Sequence, residues 1–356
     1  MQATEVVLPG IGEPESLQLH TRELPPPRPG QALVRVEASG VSFAEQQMRR
    51  GKYLDQPSFP FVPGYDLVGV VEALGAGSAA DAGVRVGQRV AALTKTGGWA
   101  DRVLLDAAEL VMVPDGVDPA EAETVVVNGV TAWRMLHRIA RVRAGNTIAV
   151  LGANSGVGST LVQLARRTGI NVVGTASARH HDRVRQLGAI PVDYRSTDLL
   201  ARVRALAPDG VAAVFDHVGG PGIVNSWRML SPGGTLVSYG TASTRDVPGN
   251  PRVPVLKLLA RLGMWNLLPN GRRATFFNLW AGKARNPHRY RAELHQDLGE
   301  VFMLLAKGEI TAQVARAFPL AQAADALRYA ESGGIVGKVV LLPGQKPTDR
   351  DQRPAG

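Results

Sequence analysis

The 356-residue sequence contains no cysteine, which excludes disulfide bonds, thiolate metal sites, iron–sulfur clusters and cysteine nucleophiles. Aromatic residues are scarce, at 5% of the chain, and no apolar run approaches the ~20 residues that a membrane-spanning helix needs. The N-terminus carries acidic residues and lacks the apolar segment of a secretory signal. With 45% hydrophobic and 20% charged residues, the composition is typical of a globular protein. We therefore expect a cytoplasmic protein with no membrane partner.

Positive charge is in excess, with 40 Lys and Arg against 31 Asp and Glu, a net charge of +9. Such a surplus permits a polyanionic partner, because cations that bind phosphates release counterions. The arginines are spread from Arg22 to Arg353, however, which favours a solvated surface. The sequence thus disfavours nucleic-acid binding.

The first 120 residues predict a small β-rich domain. Short runs alternate apolar with polar residues and are separated by Gly- and Pro-rich turns, as in half-buried antiparallel strands. The clearest runs are Gln31–Ser39, Leu67–Gly75 and Gln88–Leu93.

Residues 121–260 predict an α/β domain with a doubly wound parallel sheet, because β-branched runs alternate with segments of helical periodicity. The predicted strands are Asn146–Gly152, Ile170–Ala176, Val211–Gly220 and Gly234–Gly240. The predicted helices are Val157–Thr168, one that contains Arg183 and Leu187, and Ile223–Leu230.

Residues 261–343 are predicted to return and complete the first domain. They begin with an insert, residues 261–291, that is rich in Arg, Asn and aromatic residues. The polar, Pro-containing residues 344–356 predict a disordered tail.

A glycine-rich turn after the first strand of the α/β domain is the most informative motif. Gly152, Gly156 and Gly158 lie between a buried strand and an amphipathic helix. Glycines there let backbone N–H groups approach a pyrophosphate at the positive end of the helix. The spacing is G-A-x-x-G-x-G, so the commoner G-x-G-x-x-G fingerprint is not matched. The context predicts a dinucleotide site.

The end of the next strand indicates which dinucleotide binds. NAD sites place Asp or Glu there to bind the ribose 2′-hydroxyl, whereas this chain has Ala176 or Ser177. Ser177 and Arg179 suit a 2′-phosphate through charge-assisted hydrogen bonds, which predicts NADP(H). In the alternative interpretation, Arg179 and Arg183 are the solvated face of the following helix.

Seven motifs follow one another along residues 1–343: GVSFAEQQMRRGKY, FVPGYDLVGVV, VNGVTAW, GANSGVGSTLVQLA, FDHVGG, LVSYG and GKVVLLP. In their order and spacing they resemble the medium-chain dehydrogenase/reductase superfamily, in its zinc-independent quinone oxidoreductase and enoyl reductase branch. The resemblance implies a GroES-like substrate domain built from both chain ends, an inserted Rossmann domain, a cleft between them and a homodimer.

Zinc-dependent members have Cys and His-Glu where this chain has Ser42 and Tyr65-Asp66. A tetrahedral zinc site cannot be assembled from these residues, so we expect no metal. The resemblance implies hydride transfer to a conjugated enone, an enoyl thioester or a quinone, on a free or carrier-bound substrate. Tyr53 of the G-x-Y motif is then the candidate proton donor. In the alternative interpretation, Tyr53 is a loop aromatic residue that transfers no proton. Ser42 is a shorter hydrogen-bonding residue where quinone oxidoreductases have Asn.

Further cofactor contacts are implied by the same resemblance. If Asn128 and Thr131 do not bind the cofactor, their alternative role is helix capping. The alternative for Tyr194 is a surface aromatic residue. His217 is given no chemical role, and Glu45 is expected to pair with Arg49. The complete set of predicted cofactor-binding residues is Asn128, Thr131, Gly152, Ser155, Gly156, Val157, Gly158, Ser177, Arg179, Tyr194, Val218, Gly240 and Thr241.

Two alternatives to a reductase stay open. One is an enzyme that binds NADPH but catalyses a cyclase-like step, and the other is a nucleic-acid-binding relative of the quinone reductases. In the insert, Trp265, Phe276, Phe277 and Trp280 either cover an apolar substrate pocket or belong to a core or subunit interface. Arg272 and Arg273 are candidates to bind a phosphopantetheine or CoA phosphate.

Overall fold

A computed structural model describes residues 1–77, 83–244, 249–250 and 252–345. The strands in chain order are β1 (Gln2–Val7), β2 (Gln18–Glu23), β3 (Gln31–Val41), β4 (Asp66–Leu74), β5 (Arg89–Leu93), β6 (Arg102–Asp106), β7 (Val111–Met112), β8 (Thr147–Leu151), β9 (Asn171–Ala176), β10 (Ile190–Asp193), β11 (Val211–Asp216), β12 (Leu230–Ser238), β13 (Arg273–Phe276), β14 (Val314–Pro319) and β15 (Lys338–Leu342).

The α-helices are α1 (Phe43–Met48), α2 (Pro119–Trp133), α3 (Gly156–Arg167), α4 (His181–Leu187), α5 (Leu199–Leu206), α6 (Ile223–Met229), α7 (Arg252–Asn266), α8 (Pro287–Ala306) and α9 (Ala323–Glu331). A π-helical segment, Arg134–Ala140, continues α2. Short 3₁₀ turns cover Pro14–Ser16, Ala107–Glu109, Ala178–His180, Gly220–Gly222, Ala242–Thr244 and Leu320–Gln322. None of the helices in the described ranges is long and apolar enough to cross a bilayer.

The chain divides into two compact units. The first comprises residues 1–127, 291–308 and 312–356, and the second comprises residues 128–290 and 309–311. The first unit is β-rich, as predicted. Its main sheet has the order β14-β15-β3-β4-β5-β7, with β6 also paired to β3, and its pairs are antiparallel except for β14 with β15. Alternate residues of β3, such as Val34 and Val36, pack into its core.

The second unit is the predicted doubly wound domain. Six parallel strands have the order β10-β9-β8-β11-β12-β13. The central strand β8 is short and apolar, and Ile148 to Leu151 are all buried, as expected of a strand covered by helices on both faces. The strand order reverses between β8 and β11, which is where ligands bind in open sheets of this type.

The segment from 261 to 290 differs from the prediction. It lies in the second unit rather than returning to the first, because α7 and β13 add a sixth strand to the parallel sheet. Trp265 stacks on Trp227 with ring centroids 4.9 Å apart, which makes Trp265 part of the packing. Arg272 donates hydrogen bonds to the carbonyl oxygens of Leu230 (2.5 Å) and Ser231 (3.2 Å). Its guanidinium is therefore engaged with the main chain.

The other predicted bounds differ less. The first unit extends to residue 127 rather than 120, and the strand predicted to end at Gly220 ends at Asp216. Most of the predicted disordered tail, residues 346–356, lies outside the described residues.

A buried ionic cluster ties the two ends of the first unit together. The Nζ of Lys338 on β15 donates to Asp66 Oδ2 (2.5 Å) and to Glu123 Oε1 (2.7 Å), and all three side chains are buried. Asp66 Oδ2 also accepts the Val127 N–H at 2.9 Å. A Cβ at Gly40 would overlap the side chains of Lys338 and Glu123. Glycine at that position thus makes room for the cluster.

Two carboxyl groups face one ammonium in this cluster. Burial raises the pKa of Glu123 well above its ordinary value, the neighbouring Asp66 raises it further, and Lys338 only partly opposes them. Burial by itself lowers the pKa of Lys338, but the charges of Asp66 and Glu123 outweigh it and raise that pKa. The buried cluster therefore favours the protonated form of Glu123.

Replacing Glu123 with Gln, which resembles the protonated acid, is predicted to be tolerated. At pH 7 the free energy of unfolding should stay within about 1 kcal/mol of the parent value. Because the folded-state pKa of Glu123 is raised, the parent loses stability as pH rises through that pKa, and E123Q should gain relative to it. Urea unfolding followed by circular dichroism across this pH range provides the measurement.

Lys338→Met is the contrasting variant, because it leaves Asp66 buried without its counter-ion. It should cost about 3 to 5 kcal/mol. Lys307→Met, at an exposed lysine, is the matched control and should have little effect. A loss for E123Q as large as that for K338M at pH 7 would show that Glu123 is ionised.

Candidate active site and nucleotide site

The glycine-rich turn is built as a helix-terminal anion site. Strand β8 ends at Leu151, and Gly152 follows with φ of +75°. A Cβ at Gly152 would overlap the ring of His217, so this position requires glycine for both conformation and space. Ser155 caps α3, because its Oγ accepts the Gly158 N–H at 3.1 Å.

The first N–H groups of α3 remain for a ligand. The first four N–H groups of an α-helix have no intrahelical acceptor, and the cap serves only that of Gly158. The N–H groups of Gly156 and Val157 therefore lie at the positive end of the helix dipole. Asn128 reaches this point from α2, because a Cβ at Gly156 would overlap its side-chain amide. Thr131, one turn further along α2, is also buried.

The loop after β9 carries cations and no acid. Ser177 is buried and begins a 3₁₀ turn in which Arg179 is exposed. The Nε of Arg179 lies 3.2 Å from His180 Nε2. Partial burial lowers the pKa of His180, and the charge of Arg179 lowers it further. The first acidic side chain after β9, Asp182, pairs with Arg185 on α4. This loop therefore presents a positive charge where NAD sites present a carboxylate.

Tyr194 follows β10 and lies near the same edge of the sheet. Its N–H donates to the carbonyl oxygen of Ala176 at 3.3 Å, next to Ser177. Its ring is about half exposed, and the Arg195 guanidinium lies 5.3 Å from the ring centroid. The structure thus places Tyr194 beside the predicted ribose contacts, with its ring at the surface.

Strands β11 and β12 bring the remaining predicted contacts together. The carbonyl oxygens of His217 and Val218 accept hydrogen bonds from Ala242 N (3.0 Å) and Ser243 N (3.0 Å). This bridge places Val218 beside Gly240 and Thr241, at the carboxyl ends of both strands. A Cβ at Gly240 would lie 2.7 Å from the His217 carbonyl oxygen.

Two residues at this edge were missed by the sequence analysis. Asp216 is buried and organises the loop, because its carboxylate accepts hydrogen bonds from Val218 N (2.8 Å), Gly219 N (2.9 Å) and Ser226 Oγ (2.7 Å). The sequence offered one signal for Asp216, which is an acidic residue at the end of an apolar strand with a Gly-Gly pair three residues later. The hydroxyl of Tyr239 is buried and has no hydrogen-bond partner among the described residues, and burial raises its pKa.

His217 is held as a neutral imidazole. Its Nδ1 lies 2.9 Å from the Leu151 carbonyl oxygen, and because a carbonyl only accepts, Nδ1 carries the proton. Burial lowers the pKa of His217, which favours the neutral ring. His217 thereby ties the end of β8 to the loop after β11, which is a structural role.

The first unit contains the predicted catalytic residues in one hydrogen-bonded group. Glu45 is buried, and its Oε1 accepts the Tyr65 N–H at 2.7 Å while its Oε2 accepts the Ser42 N–H at 2.9 Å. The Ser42 hydroxyl bonds to Glu45 Oε2 and also accepts the Ala44 N–H, which caps α1. The hydroxyls of Tyr53 and Tyr65 lie 3.0 Å apart. Burial raises the pKa of Tyr53, while the hydrogen bond with Tyr65 opposes that shift.

The expected pairing of Glu45 with Arg49 is wrong. Arg49 instead makes two hydrogen bonds to Glu331, at 2.7 and 2.5 Å. The carboxylate of Glu45 is occupied by the N-cap of its own helix and by the main chain of Tyr65. Burial raises the pKa of Glu45; the hydrogen bond of Ser42 opposes this shift, and the charge of Asp66 adds to it.

Comparisons with known proteins agree with this architecture. Residues 28–115 match the alcohol dehydrogenase GroES-like domain, and residues 187–341 match the zinc-binding dehydrogenase family. The chain is 32% identical over 351 residues to the synaptic vesicle membrane protein VAT-1 homolog of Rattus norvegicus, covering 95% of this chain and 84% of the relative.

Two solved structures are similar over their whole length. A mycobacterial protein complexed with NADPH is 30% identical with a TM-score of 0.81, covering 96% of this chain and 100% of that one. Quinone oxidoreductase of Escherichia coli complexed with NADPH is 25% identical with a TM-score of 0.83, with the same coverage. This chain belongs to the medium-chain dehydrogenase/reductase superfamily, in its quinone oxidoreductase branch. It is an oxidoreductase.

The residues present do not fit the zinc ion that one of the family descriptions names. The chain has no cysteine, and Ser42 is used to cap α1. At the positions of the usual His-Glu pair, the Tyr65 hydroxyl bonds to Tyr53 and Asp66 is paired with Lys338. A metal at this place would compete with each of these contacts, so no catalytic step is assigned to one.

Glu45→Gln is predicted to destabilise the first unit. The amide offers one accepting oxygen in place of two, so its NH₂ group must face the N–H of either Tyr65 or Ser42. Leaving a buried donor unpaired should cost about 1 to 3 kcal/mol. Urea unfolding measures this loss, and Glu121→Gln, at an exposed glutamate, is the matched control. Equal unfolding midpoints for the parent and E45Q would contradict the inferred role of Glu45.

Proposed function

We propose that this oxidoreductase uses NADPH to reduce a conjugated enone, an enoyl thioester or a quinone. The observation that carries the proposal is the pairing of a glycine-rich helix terminus with a β9 loop that has Ser177 and Arg179 in place of an acid. A pyrophosphate suits the first feature and a 2′-phosphate suits the second. The two similar structures complexed with NADPH support the same cofactor.

The cofactor contacts divide by chemistry. The N–H groups of Gly156 and Val157 bind the pyrophosphate, and Asn128 and Thr131 approach from α2. Arg179 binds the 2′-phosphate beside Ser177. The remaining predicted contacts are the strand-end residues and loop residues Gly152, Ser155, Gly158, Tyr194, Val218, Gly240 and Thr241.

When bound at these residues, NADPH would supply a hydride for the β-carbon of the substrate. Residues of the chain then neutralise the negative charge that develops on the substrate. We propose that Tyr53 donates the proton that neutralises the enolate, because its hydroxyl is raised in pKa and thus protonated at neutral pH. Tyr65 orients that hydroxyl from 3.0 Å, and Glu45, which Ser42 also contacts, fixes the backbone of Tyr65.

A homodimer and a cytoplasmic location stay predictions that rest on the family resemblance and on the composition. A substrate attached to a carrier also stays a prediction. The capping role of Ser42 gives that residue a structural function, and a direct catalytic role for it is a further prediction.

Removing the Arg179 side chain is predicted to abolish the preference for NADPH over NADH. Arg179→Ala loses a charge-assisted contact to the 2′-phosphate, so the Kd for NADPH should rise about tenfold or more while the Kd for NADH stays unchanged. Fluorescence titration of each reduced nucleotide measures both constants. Arg185→Ala, at an arginine paired with Asp182, is the control. Tighter binding of NADH than NADPH by the parent protein would overturn the cofactor assignment.

The tyrosine pair yields a separate prediction for turnover. Tyr53→Phe should lower kcat about 100-fold with little change in the Kd for NADPH. Tyr65→Phe keeps the donor but removes the hydrogen bond that lowers the pKa of Tyr53. Its alkaline limb of kcat against pH should therefore move to higher pH, since a general acid acts only while protonated. NADPH oxidation with 2-cyclohexenone, a crotonyl thioester and 1,4-naphthoquinone is the assay.

Tyr329→Phe is the control for loss of a tyrosine hydroxyl in the first unit and should leave both readouts unchanged. Unchanged turnover in Y53F would remove Tyr53 as the proton donor. NADPH binding without oxidation by any of the three acceptors would favour the non-reductive, cyclase-like alternative.

A further inference from the structure

Lys95, just after β5, has an unusual backbone conformation. Its φ is +64°, in the left-handed region, and Arg141 is the one other non-glycine residue with a positive φ among those that the structure describes. A side chain makes this conformation costly, and glycine is the residue that adopts it freely. Asn and Asp also tolerate it better than most residues do. The chain therefore places a lysine where the backbone favours glycine.

The main chain around Lys95 is held against the segment that carries Tyr65. The N–H groups of Thr94 and Lys95 both donate to the Tyr65 carbonyl oxygen, at 2.9 and 3.1 Å. The Thr94 hydroxyl donates to the Gly64 carbonyl oxygen at 2.6 Å, and the Gly98 N–H donates to the same oxygen at 3.1 Å. A strained residue persists only where its surroundings fix it in this way. The position of Lys95 is therefore set relative to Tyr65.

The side chain of Lys95 reaches the loop that carries Tyr53. Its ammonium pairs with the carboxylate of Asp55. Asp55 lies two residues after Tyr53, in a stretch from 52 to 60 that forms no helix or strand. The hydroxyls of Tyr53 and Tyr65 lie 3.0 Å apart. The Tyr53 loop thus meets the Tyr65 segment through the two hydroxyls, and it meets Lys95 through this ion pair.

Asp55 also acts on Tyr53 through its charge. Burial raises the pKa of Tyr53, the hydrogen bond with Tyr65 opposes that shift, and the charges of Glu45 and Asp55 add to it. The ammonium of Lys95 places a compensating positive charge on Asp55. The ion pair therefore belongs to the surroundings of the proposed proton donor.

Stability does not account for the lysine. The Asp55 side chain is 76% exposed and that of Lys95 is 30% exposed. An ion pair in contact with solvent contributes little to the free energy of unfolding, and the left-handed backbone of Lys95 costs at least as much. A glycine at this position would have neither the cost nor the contact. What the lysine supplies is a fixed place for Asp55.

We propose that Lys95 is a positioning residue of the reductase, which holds Asp55 and thereby the loop that carries the proton donor Tyr53. This inference rests on the role proposed for Tyr53 above. Lys95 transfers no proton itself. Its ammonium keeps the Tyr53 hydroxyl where it meets that of Tyr65. Because a small displacement of a reacting group lowers the rate steeply, a contact that adds little stability affects turnover strongly.

Lys95→Gly separates positioning from stability. Because glycine adopts a positive φ without strain, K95G should unfold at a urea midpoint equal to or above that of the parent. Its kcat for NADPH oxidation, with the best of the three acceptors named above, should nevertheless fall about tenfold or more. The Kd for NADPH should stay unchanged. Lys95→Arg keeps the charge and should retain most of the turnover.

Asp55→Asn removes the same ion pair from the other side and should lower kcat by a similar factor. If the two residues act through their contact, K95G/D55N should lower kcat no further than either single variant. Separate roles would make the two losses multiply to about a hundredfold. That result would contradict a positioning role for the pair.

The position of Tyr53 can also be followed without turnover. In protein labelled with 3-fluorotyrosine, the fluorine resonance of Tyr53 is the one that is lost in Y53F. K95G and D55N should shift this resonance, because the Tyr53 loop loses its contact with Lys95. K95R should leave it near its position in the parent.

Matched controls come from the second unit. Arg141→Gly makes the same backbone change at an exposed residue with φ of +50°. Asp198→Asn removes an exposed carboxylate that pairs with Arg202. Neither variant should change kcat or the Tyr53 resonance.

An unmoved Tyr53 resonance in K95G, or a parent-like kcat, would overturn the role of Lys95. A urea midpoint of K95G far below that of the parent would assign the lysine to stability instead. Failure of the proposed function is a different result, because it appears as unchanged turnover in Y53F. In that case the fluorine resonance still reports whether Lys95 positions Tyr53.

Discussion

The ion pair of Lys338 with Asp66 is the contact on which the first unit depends. Lys338 lies on β15, near the end of the described chain, while Asp66 begins β4 and Glu123 lies on α2. A buried ammonium cannot be left unpaired without a cost of several kcal/mol, so the chain can fold only with these three parts together. The split domain, formed by segments far apart in sequence, is held at this point by electrostatics as well as by the pairing of β15 with β3.

The positions that hold metal ligands in zinc-dependent members of the family make other contacts in this chain. Asp66 is an ion-pair partner, Ser42 is a helix cap, and Tyr65 meets Tyr53 through their hydroxyls. Each polar group that could have bound a cation binds another part of the protein. Under the proposed function, a weakly acidic hydroxyl pair takes part in the chemistry in place of a Lewis acid. This favours reactions in which hydride attacks an already polarised alkene or quinone, because those reactions need a proton more than they need carbonyl activation.

Local patterns predicted the parts of the fold that depend on near neighbours in sequence. The strands around Val150 and Val173 and the helix that Ser155 caps follow from β-branched runs and from a capping residue before a glycine-rich helix start. The partners of Glu45 and Lys338 could not be predicted in this way. Glu45 has Arg49 one helical turn away, but Glu331, from a distant segment, binds that arginine. Lys338 looks like an ordinary strand lysine until the sheet brings Asp66 and Glu123 against it.

Helix α7 shows why the segment from 261 to 290 was misplaced. Its leucines lie on two faces rather than one, so the apolar periodicity that indicates an amphipathic helix is weak. Only the packing of Leu258 and Leu262 shows which face is core.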